Sequence, residues 1–338
     1  MCSRDLKISV SYDALNADNT FSGGDRISGR VTLEVRKEMK INSFSVRAEG
    51  KASVMWTEFY GQIFVVFHDK ETCLQLETIF IQKENTDSDV IPPGCHVYPF
   101  TFQLPQQEMP SSFKTCTGKV VYFIEAEVKR PMRLDAKEKV EFTYLSRTNM
   151  DFLAMKKAQI GNADKSFKFL NSGSVSVTAR IDSTNYYFGD EMKITADIQN
   201  LSSRPVKPKY RLYQRKSFFA MRRRRVCTKD IANGEAEPVQ PSERQTVTWS
   251  LTIPSDVTPT SLNCRVLRVE YILKVYLDVK YSRDPDVQFP LVIFAAPQIP
   301  DEESATFGDV KRMDEPPPYS VYAEMGNIPN AAIYNPKF

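Results

Sequence analysis

Alternation of apolar and polar side chains is the dominant pattern along this chain. Residues 7–12, 30–35, 174–178 and 246–251 all place apolar side chains at every second position. Successive side chains of a β-strand point to opposite faces, so this pattern predicts strands with one buried and one solvated face. The best helical candidate, residues 150–157, is short and fits a linker equally well. The sequence therefore predicts an all-β fold.

Turn residues separate these strands, and the chain contains an internal repeat. Residues 21–27 (FSGGDRI) resemble residues 187–192 (YFGDEM), where a Gly-Asp turn leads into an alternating strand. Glycine supplies the positive φ that such turns need, and aspartate accepts backbone hydrogen bonds. Residues 100–105 (FTFQLP) likewise parallel residues 249–254 (WSLTIP). The same register matches Pro110 with Pro259, Phe113 with Leu262, and residues 122–124 with 271–273. We therefore expect a duplication that produced two tandem β-sandwich domains.

The repeat sets the expected domain bounds. We predict an N-terminal sandwich over residues 1–150, a connector over 151–171, a second sandwich over 172–296 and a disordered tail over 297–338. The tail is rich in Pro, Asp, Glu and Asn and cannot bury enough apolar surface to fold. Apolar residues make up 41% of the 338 residues, which is enough for a sizeable core in the folded part.

Charge and cysteine content limit the possible cellular location of the protein and the classes of partner that it can bind. The formal net charge is +3, which is too small for nucleic-acid binding through bulk charge, so we expect no nucleic-acid partner. The six cysteines form no CxxC pair. The sequence shows neither a signal-like apolar segment at its N-terminus nor an apolar run of about 20 residues. We therefore expect a cytoplasmic protein with free thiols and no metal.

The sequence offers little for catalysis. It has two histidines, His68 and His96, so a Ser-His-Asp or Cys-His arrangement must use one of them. Cys95 and His96 are adjacent and would point to opposite faces of a strand, and His68 precedes Asp69 in an expected loop. The motifs of phosphate loops, dinucleotide folds, zinc proteases and nucleophile elbows are missing from the sequence. We expect no catalytic residue, no cofactor and no enzymatic activity.

Four consecutive arginines, Arg222, Arg223, Arg224 and Arg225, interrupt the strand pattern. Strand-like segments lie on both sides, so we expect the arginines at a hairpin tip. Two binding roles fit them: anionic lipid headgroups, or phosphorylated and acidic cargo segments, since guanidinium groups pair well with phosphate. A solvated turn whose like charges discourage edge pairing is an equal alternative. A nuclear localisation signal fits less well, because the run lies inside an expected folded domain.

The tail carries one proline-rich motif, formed by Pro316, Pro317, Pro318 and Tyr319, and this motif fits PPxY. Consecutive prolines favour the polyproline II conformation, so little backbone entropy is lost on docking. WW domains bind such helices in an aromatic-lined groove. A stiff spacer is the alternative interpretation of a proline run.

Taken together, these features resemble the α-arrestins, the arrestin domain-containing proteins. The resemblance covers about residues 1–296 and the PPxY motif. It rests on segments 25–31, 92–105, 200–204, 264–271 and 289–293. It implies two tandem immunoglobulin-like β-sandwich (arrestin-like) domains. It also implies a non-enzymatic adaptor that links membrane-protein cargo, such as receptors or transporters, to WW-domain HECT-type ubiquitin ligases for ubiquitination, endocytosis and endosomal sorting.

The family pattern also assigns roles within the motif. Pro316 and Pro317 would pack against the WW groove, and Tyr319 would fill the neighbouring pocket. Relatives usually carry two such motifs, whereas this tail has one, because Tyr322 and Tyr334 lack the preceding prolines. The resemblance implies a cytoplasmic protein recruited to the plasma membrane and endosomes. Two alternatives stay open: a retromer-like cargo-sorting coat component, and a membrane-surface module that binds anionic lipids through the four arginines.

Overall fold

The computed structural model is built from β-strands throughout. It describes residues 5–16, 19–82, 89–146, 157–167, 173–279 and 283–295, which contain twenty strands and no helix. None of these residues forms a helix that could cross a membrane. The all-β prediction is confirmed. The strands are β1 (Leu6–Tyr12), β2 (Thr20–Phe21), β3 (Arg26–Val35), β4 (Met39–Ile41), β5 (Ser43–Tyr60), β6 (Ile63–Gln82), β7 (Asp89–Ile91), β8 (Gly94–Gln103), β9 (Phe113–Lys114), β10 (Gly118–Lys129), β11 (Ala136–Tyr144), β12 (Gln159–Phe167), β13 (Gly173–Ile181), β14 (Asn185–Tyr187), β15 (Glu191–Asn200), β16 (Lys207–Ala220), β17 (Arg223–Glu235), β18 (Glu243–Thr252), β19 (Leu267–Asp278) and β20 (Asp286–Phe294).

The first domain is a sandwich of two sheets. One sheet has the order β1-β3-β8, and the other has the order β2-β11-β10-β5-β6 with β9 beside β10. A short ladder joins β4 to β7. The even-numbered side chains of β5 are buried from Phe44 to Trp56, as expected for a strand with one face in the core. The long β5 and β6 pair with each other along their whole length.

The second domain repeats this arrangement. Its sheets have the orders β12-β13-β15-β18 and β14-β20-β19-β16-β17. In the second of these, β14, β20, β19, β16 and β17 take the places of β2, β11, β10, β5 and β6. In both domains the shortest strand of that sheet pairs in parallel, β2 with β11 and β14 with β20. The shared strand order confirms the duplication predicted from the sequence.

The two Gly-Asp turns of the repeat are also equivalent. Gly24 and Gly189 adopt φ angles of 85° and 86°, which glycine reaches without steric cost. The next residue in each turn, Asp25 or Asp190, accepts a backbone N–H from three residues earlier, at 2.7 and 2.8 Å. The sequence therefore identified both the turn and the reason for its aspartate.

One strand lies where a connector was expected. The strand β12 falls within residues 151–171 and pairs with β13 from Gln159↔Ile181 to Phe167↔Gly173. Its side chains gave no clear alternation because it is an edge strand with little burial; Ile160 is 65% exposed. Backbone hydrogen bonds rather than an apolar face define it. Residues 150–156 of the helical candidate and the expected disordered tail, 297–338, lie outside the described residues.

Buried tyrosines fix equivalent loops in the two domains. Tyr122 is fully buried, and its hydroxyl donates to the Pro110 carbonyl oxygen at 2.6 Å. In the second domain, Tyr271 donates to the Thr258 carbonyl oxygen and accepts from the Gln214 amide. Burial raises the pKa of both phenols far above the usual value, so each hydroxyl stays protonated and able to donate.

Replacing Tyr122 with phenylalanine should destabilise the protein, because the buried carbonyl of Pro110 loses its donor. We expect the free energy of unfolding to fall by about 1–2 kcal/mol. Denaturant unfolding of the full chain measures this change. The matched control is Tyr276→Phe, a half-exposed position on β19, where a change within about 0.5 kcal/mol is expected. Equal stability of Tyr122→Phe and the parent protein would contradict the role given to this hydrogen bond.

Candidate functional site

The two predicted sites fall in different parts of the chain. The WW-binding residues Pro316, Pro317 and Tyr319 lie outside the described residues. Residues 222–225, here named the arginine cluster, are described and lie at the turn between β16 and β17. The predicted hairpin position of the arginine cluster is confirmed.

This hairpin ends in a tight turn beyond its sheet. Ala220 pairs with Arg223, which leaves Met221 and Arg222 as a two-residue turn. Both turn residues adopt positive φ, 49° and 62°, a pattern typical of the type I′ turn, whose twist matches the flanking strands. The neighbouring strand β19 pairs with β16 only up to Phe218. The hairpin therefore ends as a short two-stranded projection. We name its residues, 219–225, the basic ribbon.

Arg224 is held on one face of the basic ribbon. Its guanidinium and that of Arg268 lie over the ring of Phe219, 5.7 and 5.4 Å from the centroid, which is within the range of cation–π attraction. Arg215 donates two hydrogen bonds of 3.1 Å to Glu270, and Arg224 lies 4.0 Å from the same carboxylate. The one carboxylate that Arg224 contacts is therefore already bound by Arg215.

The other arginines of the cluster have no such partner. Arg223 and Arg225 are offset from Arg224 by one residue and so occupy the opposite face of the strand. Arg222 lies in the turn, and all three side chains are exposed. Within the described part of the chain, these three arginines form no ion pair. The turn thus concentrates positive charge that the fold leaves unneutralised.

The equivalent hairpin of the first domain projects further from its sheet. The central strand β10 pairs with β5 only as far as Val54. Beyond it, β5 and β6 pair only with each other up to the turn after Tyr60, where Gly61 adopts a φ of 66°. We name residues 55–68 the apolar ribbon. On its inner face, Trp56 stacks on Phe67 with ring centroids 5.4 Å apart.

A carboxylate on this inner face links the two ribbons electrostatically. Glu58 accepts hydrogen bonds from the Tyr60 hydroxyl at 2.6 Å and from the Trp56 indole N–H at 2.9 Å. These two donors, and then the charges of Arg223 and Arg225, lower the pKa of Glu58. The arginines of the basic ribbon are therefore close enough to stabilise an anion on the apolar ribbon.

The outer face of the apolar ribbon is exposed to solvent and consists largely of apolar side chains. Their exposed fractions range from 46 to 73%, and they are Met55, Phe59, Phe64 and Val66. The rings of Phe59 and Phe64 face each other across the hairpin, 4.9 Å apart. Sequence reasoning missed this surface. The available signal was the run of five apolar residues at 63–67, which does not alternate.

The two histidines lie on different strands, His68 on β6 and His96 on β8. His68 lies within β6 and not in the expected loop, because the polar run that follows it belongs to an exposed edge strand. The ring of His96 lies 2.9 Å from the Pro92 carbonyl oxygen. Among the described residues, no group of three or more acidic, cysteine or histidine side chains is placed to hold a metal.

Glu71 of β6 joins the two domains near the base of both ribbons. Its carboxylate accepts the backbone N–H of Arg265 at 2.7 Å, that of Val266 at 3.4 Å and the thiol of Cys264 at 3.3 Å. The guanidinium of Arg265 donates to Asp69 at 2.7 and 3.2 Å. This paired hydrogen bond lowers the pKa of Asp69. A short polar segment of β6 therefore holds the loop that precedes β19.

Apolar packing completes the junction. Phe218 is buried against Gly118, where an added Cβ would come within 2.9 Å of the Phe218 ring, so the close approach requires glycine. Lys216 lies over the ring of Phe113 at 5.3 Å, and burial lowers the pKa of this lysine. Both contacts join the first domain to β16, the strand that carries the basic ribbon.

Two free cysteines also meet at the junction. Cys73 and Cys264 come from different domains, and the contact with Cys264 lowers the pKa of Cys73. The contact with Cys73, burial and the neighbouring Glu71 raise the pKa of Cys264. No local pattern in the sequence indicates this pair, because only the folded arrangement of the domains brings the two residues together.

Comparison with known proteins identifies the family. Residues 8–151 match the family model for the N-terminal domain of arrestin (or S-antigen), and residues 171–298 match the model for its C-terminal domain. Over 288 residues the chain is 30% identical to thioredoxin-interacting protein from Rattus norvegicus, which covers 82% of this chain and 71% of that protein. The chain belongs to the α-arrestin family.

Other relatives of this α-arrestin support the same assignment. Arrestin domain-containing protein 4 from Homo sapiens is 27% identical over 289 residues, which is 82% of this chain and 68% of that protein. Thioredoxin-interacting protein from Homo sapiens is 28% identical over 288 residues, 82% of this chain and 71% of that protein. The resemblance seen in the sequence is confirmed. Arrestin-family homologues are non-enzymatic adaptors, and membership gives this chain a general role as a trafficking adaptor.

Replacing Glu71 with alanine should loosen the domain junction of this α-arrestin, because two backbone N–H groups lose their acceptor. We expect faster hydrogen exchange at Arg265 and Val266 and a loss of about 1–3 kcal/mol in the free energy of unfolding. Glu77→Ala, at an exposed position on the same strand, is the matched control and should change neither quantity. Unaltered exchange at Arg265 in the Glu71→Ala protein would contradict the assigned contact.

Proposed function

We propose that this α-arrestin is a non-enzymatic adaptor that links membrane-protein cargo to WW-domain HECT-type ubiquitin ligases. The cargo consists of proteins such as receptors or transporters, whose ubiquitination then leads to endocytosis and endosomal sorting. The protein acts in the cytoplasm and is recruited to the plasma membrane and endosomes. The observation that carries the proposal is a PPxY motif, ending at Tyr319, in a chain with both arrestin domains.

The motif has the chemistry that a WW groove binds. Pro316 and Pro317 present consecutive rings with fixed φ, so the ligand helix forms with little loss of backbone entropy. The aromatic groove then gains apolar contact with both rings, and Tyr319 supplies a large side chain with a polar end. The three side chains act together, so removal of the tyrosine should abolish most of the affinity.

A single motif also limits how the ligase is held. Tyr322 and Tyr334 lack the preceding prolines that a second ligand would need. Capture of tandem WW domains by two linked motifs would raise the effective concentration of the second contact, and this chain does not offer that gain. We therefore propose one-to-one binding of moderate affinity, in which cargo on the membrane brings the adaptor and the ligase together.

A cargo-sorting coat component, similar to the arrestin-shaped subunit of retromer, is the other adaptor class that two arrestin domains fit. A coat subunit has no need of a WW ligand. The PPxY motif therefore favours ligase recruitment over coat assembly.

Replacing Tyr319 with alanine should lower the affinity of the full chain for a purified WW domain by about 100-fold, because the pocket that binds the tyrosine ring is left unfilled. Fluorescence anisotropy with a labelled WW domain measures the affinity. Tyr322→Ala is the matched control, since it removes a tail tyrosine without preceding prolines and should leave the affinity unchanged.

A pull-down from cell lysate extends this test to the whole ligase. The parent protein and Tyr322→Ala should capture WW-domain ubiquitin ligases, and Tyr319→Ala should not. Equal capture by all three proteins, or capture of no ligase by any of them, would refute the proposed recruitment and favour the coat interpretation.

A further inference from the structure

The tip of the apolar ribbon is apolar on both of its faces. Phe59 and Phe64 pair across the hairpin on the outer face, and Tyr60 and Ile63 form the next pair on the inner face. All four are exposed, with exposed fractions of 61, 73, 45 and 65% in that order. A ribbon that packs one face against a partner keeps the other face polar. Apolar side chains on both faces therefore indicate that the tip enters an apolar environment that contacts both faces at once.

Positive charge lies beside the base of the apolar ribbon, where Asp69 follows it. A cleft of about 370 Å³ at the basic ribbon is lined by five arginines, and Asp69 is the only carboxylate among its lining residues. Asp69 is already paired with Arg265. The remaining arginines of the cleft are Arg222, Arg223, Arg224 and Arg268. A cleft of this charge and size fits phosphate groups.

We infer that the two ribbons together form a docking edge for an anionic phospholipid bilayer. The aromatic tip of the apolar ribbon enters the headgroup region, and the arginines of the basic ribbon bind lipid phosphates. Phe59 and Tyr60, the last two residues before the turn, span about 7 Å, at about 3.3 Å for each residue, which matches the depth of interfacial insertion. This inference goes beyond the proposed ligase recruitment and does not rest on it.

The backbone of the apolar ribbon is compatible with this depth. Its two strands satisfy each other's hydrogen bonds up to the pair of Tyr60 and Ile63, so few N–H and C=O groups enter the headgroup region unpaired. The Tyr60 hydroxyl stays bound to Glu58, at the level where aromatic residues with one polar end are favoured. The fold thus allows shallow insertion and no deeper penetration.

Glu58 places a carboxylate near the tip, and its partners are defined. Two donors hold its oxygens, and Arg223 and Arg225 lie near it on the side of the basic ribbon. The arginines therefore offset its charge before any lipid is bound. The edge as a whole stays positive, because among the described residues Arg222 and Arg268 form no ion pair.

A phosphorylated peptide is the other ligand that the arginines could bind, and it explains less of the surface. Such a peptide would use the basic ribbon but would give Phe59, Ile63 and Phe64 no reason to be exposed. Contiguous exposed apolar patches are uncommon on soluble surfaces without a partner. A bilayer uses both ribbons at once, since it offers phosphate and acyl chains within the same few ångströms.

Vesicle co-sedimentation of the full chain tests the inference. We expect binding to phosphatidylcholine vesicles that contain phosphatidylserine, and at least about tenfold weaker binding to phosphatidylcholine alone. Phe59→Ser/Phe64→Ser should weaken binding by at least about tenfold for each ring removed. Arg222→Asn/Arg223→Gln should weaken it by about fivefold for each charge removed.

Two matched controls lie in other turns of the first domain. Met132→Ser/Leu134→Ser removes two fully exposed apolar side chains from the turn between β10 and β11. Arg36→Gln/Lys37→Gln removes two exposed charges from the turn between β3 and β4. Both controls should bind vesicles as the parent does. All four variants alter exposed residues, and unchanged unfolding midpoints confirm that each one is folded.

A Phe59→Trp variant reports insertion directly. Subtracting the emission spectrum of the parent isolates the signal of the new tryptophan. In the presence of anionic vesicles, this emission should shift to shorter wavelength and be quenched by lipids brominated near the headgroup. The inference is overturned if the serine variant binds as the parent does, if phosphatidylserine makes no difference, or if the protein binds a soluble phosphopeptide but no vesicle. Failure here leaves binding of the WW domain through Tyr319 unaffected, so the two proposals are tested separately.

Discussion

The candidate site depends on one mismatch of strand length that occurs in both domains. The strands β5 and β16 extend past the neighbours with which they pair, β10 and β19. Beyond that point each hairpin pairs only within its own two strands. An isolated hairpin of this kind is marginally stable in water. The stack of Trp56 on Phe67 and the arginines over Phe219 therefore stabilise ribbons that the sheets no longer support.

The domain junction fixes where these ribbons lie. Glu71 and Asp69 of β6 hold Arg265, which lies just before β19, while Phe218 of β16 packs against Gly118 of β10. The contacts therefore involve the strands that carry the ribbons and the neighbours that end beside them. The Glu71 carboxylate is stable here because two backbone N–H groups and a thiol donate to it. The same contacts that join the domains thus set the spacing between an apolar surface and a basic one.

Much of this structure could be predicted from the sequence. The remaining features could not be predicted, for physical reasons that can be identified. Alternation, turn glycines and the internal repeat predicted the fold and the duplication because these signals are local and periodic. The hairpin position of the arginine cluster followed from the strands on either side.

The strand β12 was missed because an edge strand can form through backbone pairing with little burial. The contacts of Glu71 and the pairing of Cys73 with Cys264 depend on the tertiary arrangement, which no local pattern encodes. The exposed face of the apolar ribbon was missed because an apolar run predicts a buried strand.

The duplication explains why the two chemistries lie on separate hairpins. Equivalent hairpins in the two domains have the same place in their sheets, and the same mismatch exposes both tips. One tip retained apolar side chains around Gly61, and the other carries arginines from Arg222 onwards. Were arginines and aromatic rings to alternate within one ribbon, each ring would be screened by a hydrated guanidinium beside it. On two adjacent ribbons, the rings form one continuous apolar tip and the arginines stay at its side. The fold therefore presents both properties at one edge without requiring either ribbon to combine them.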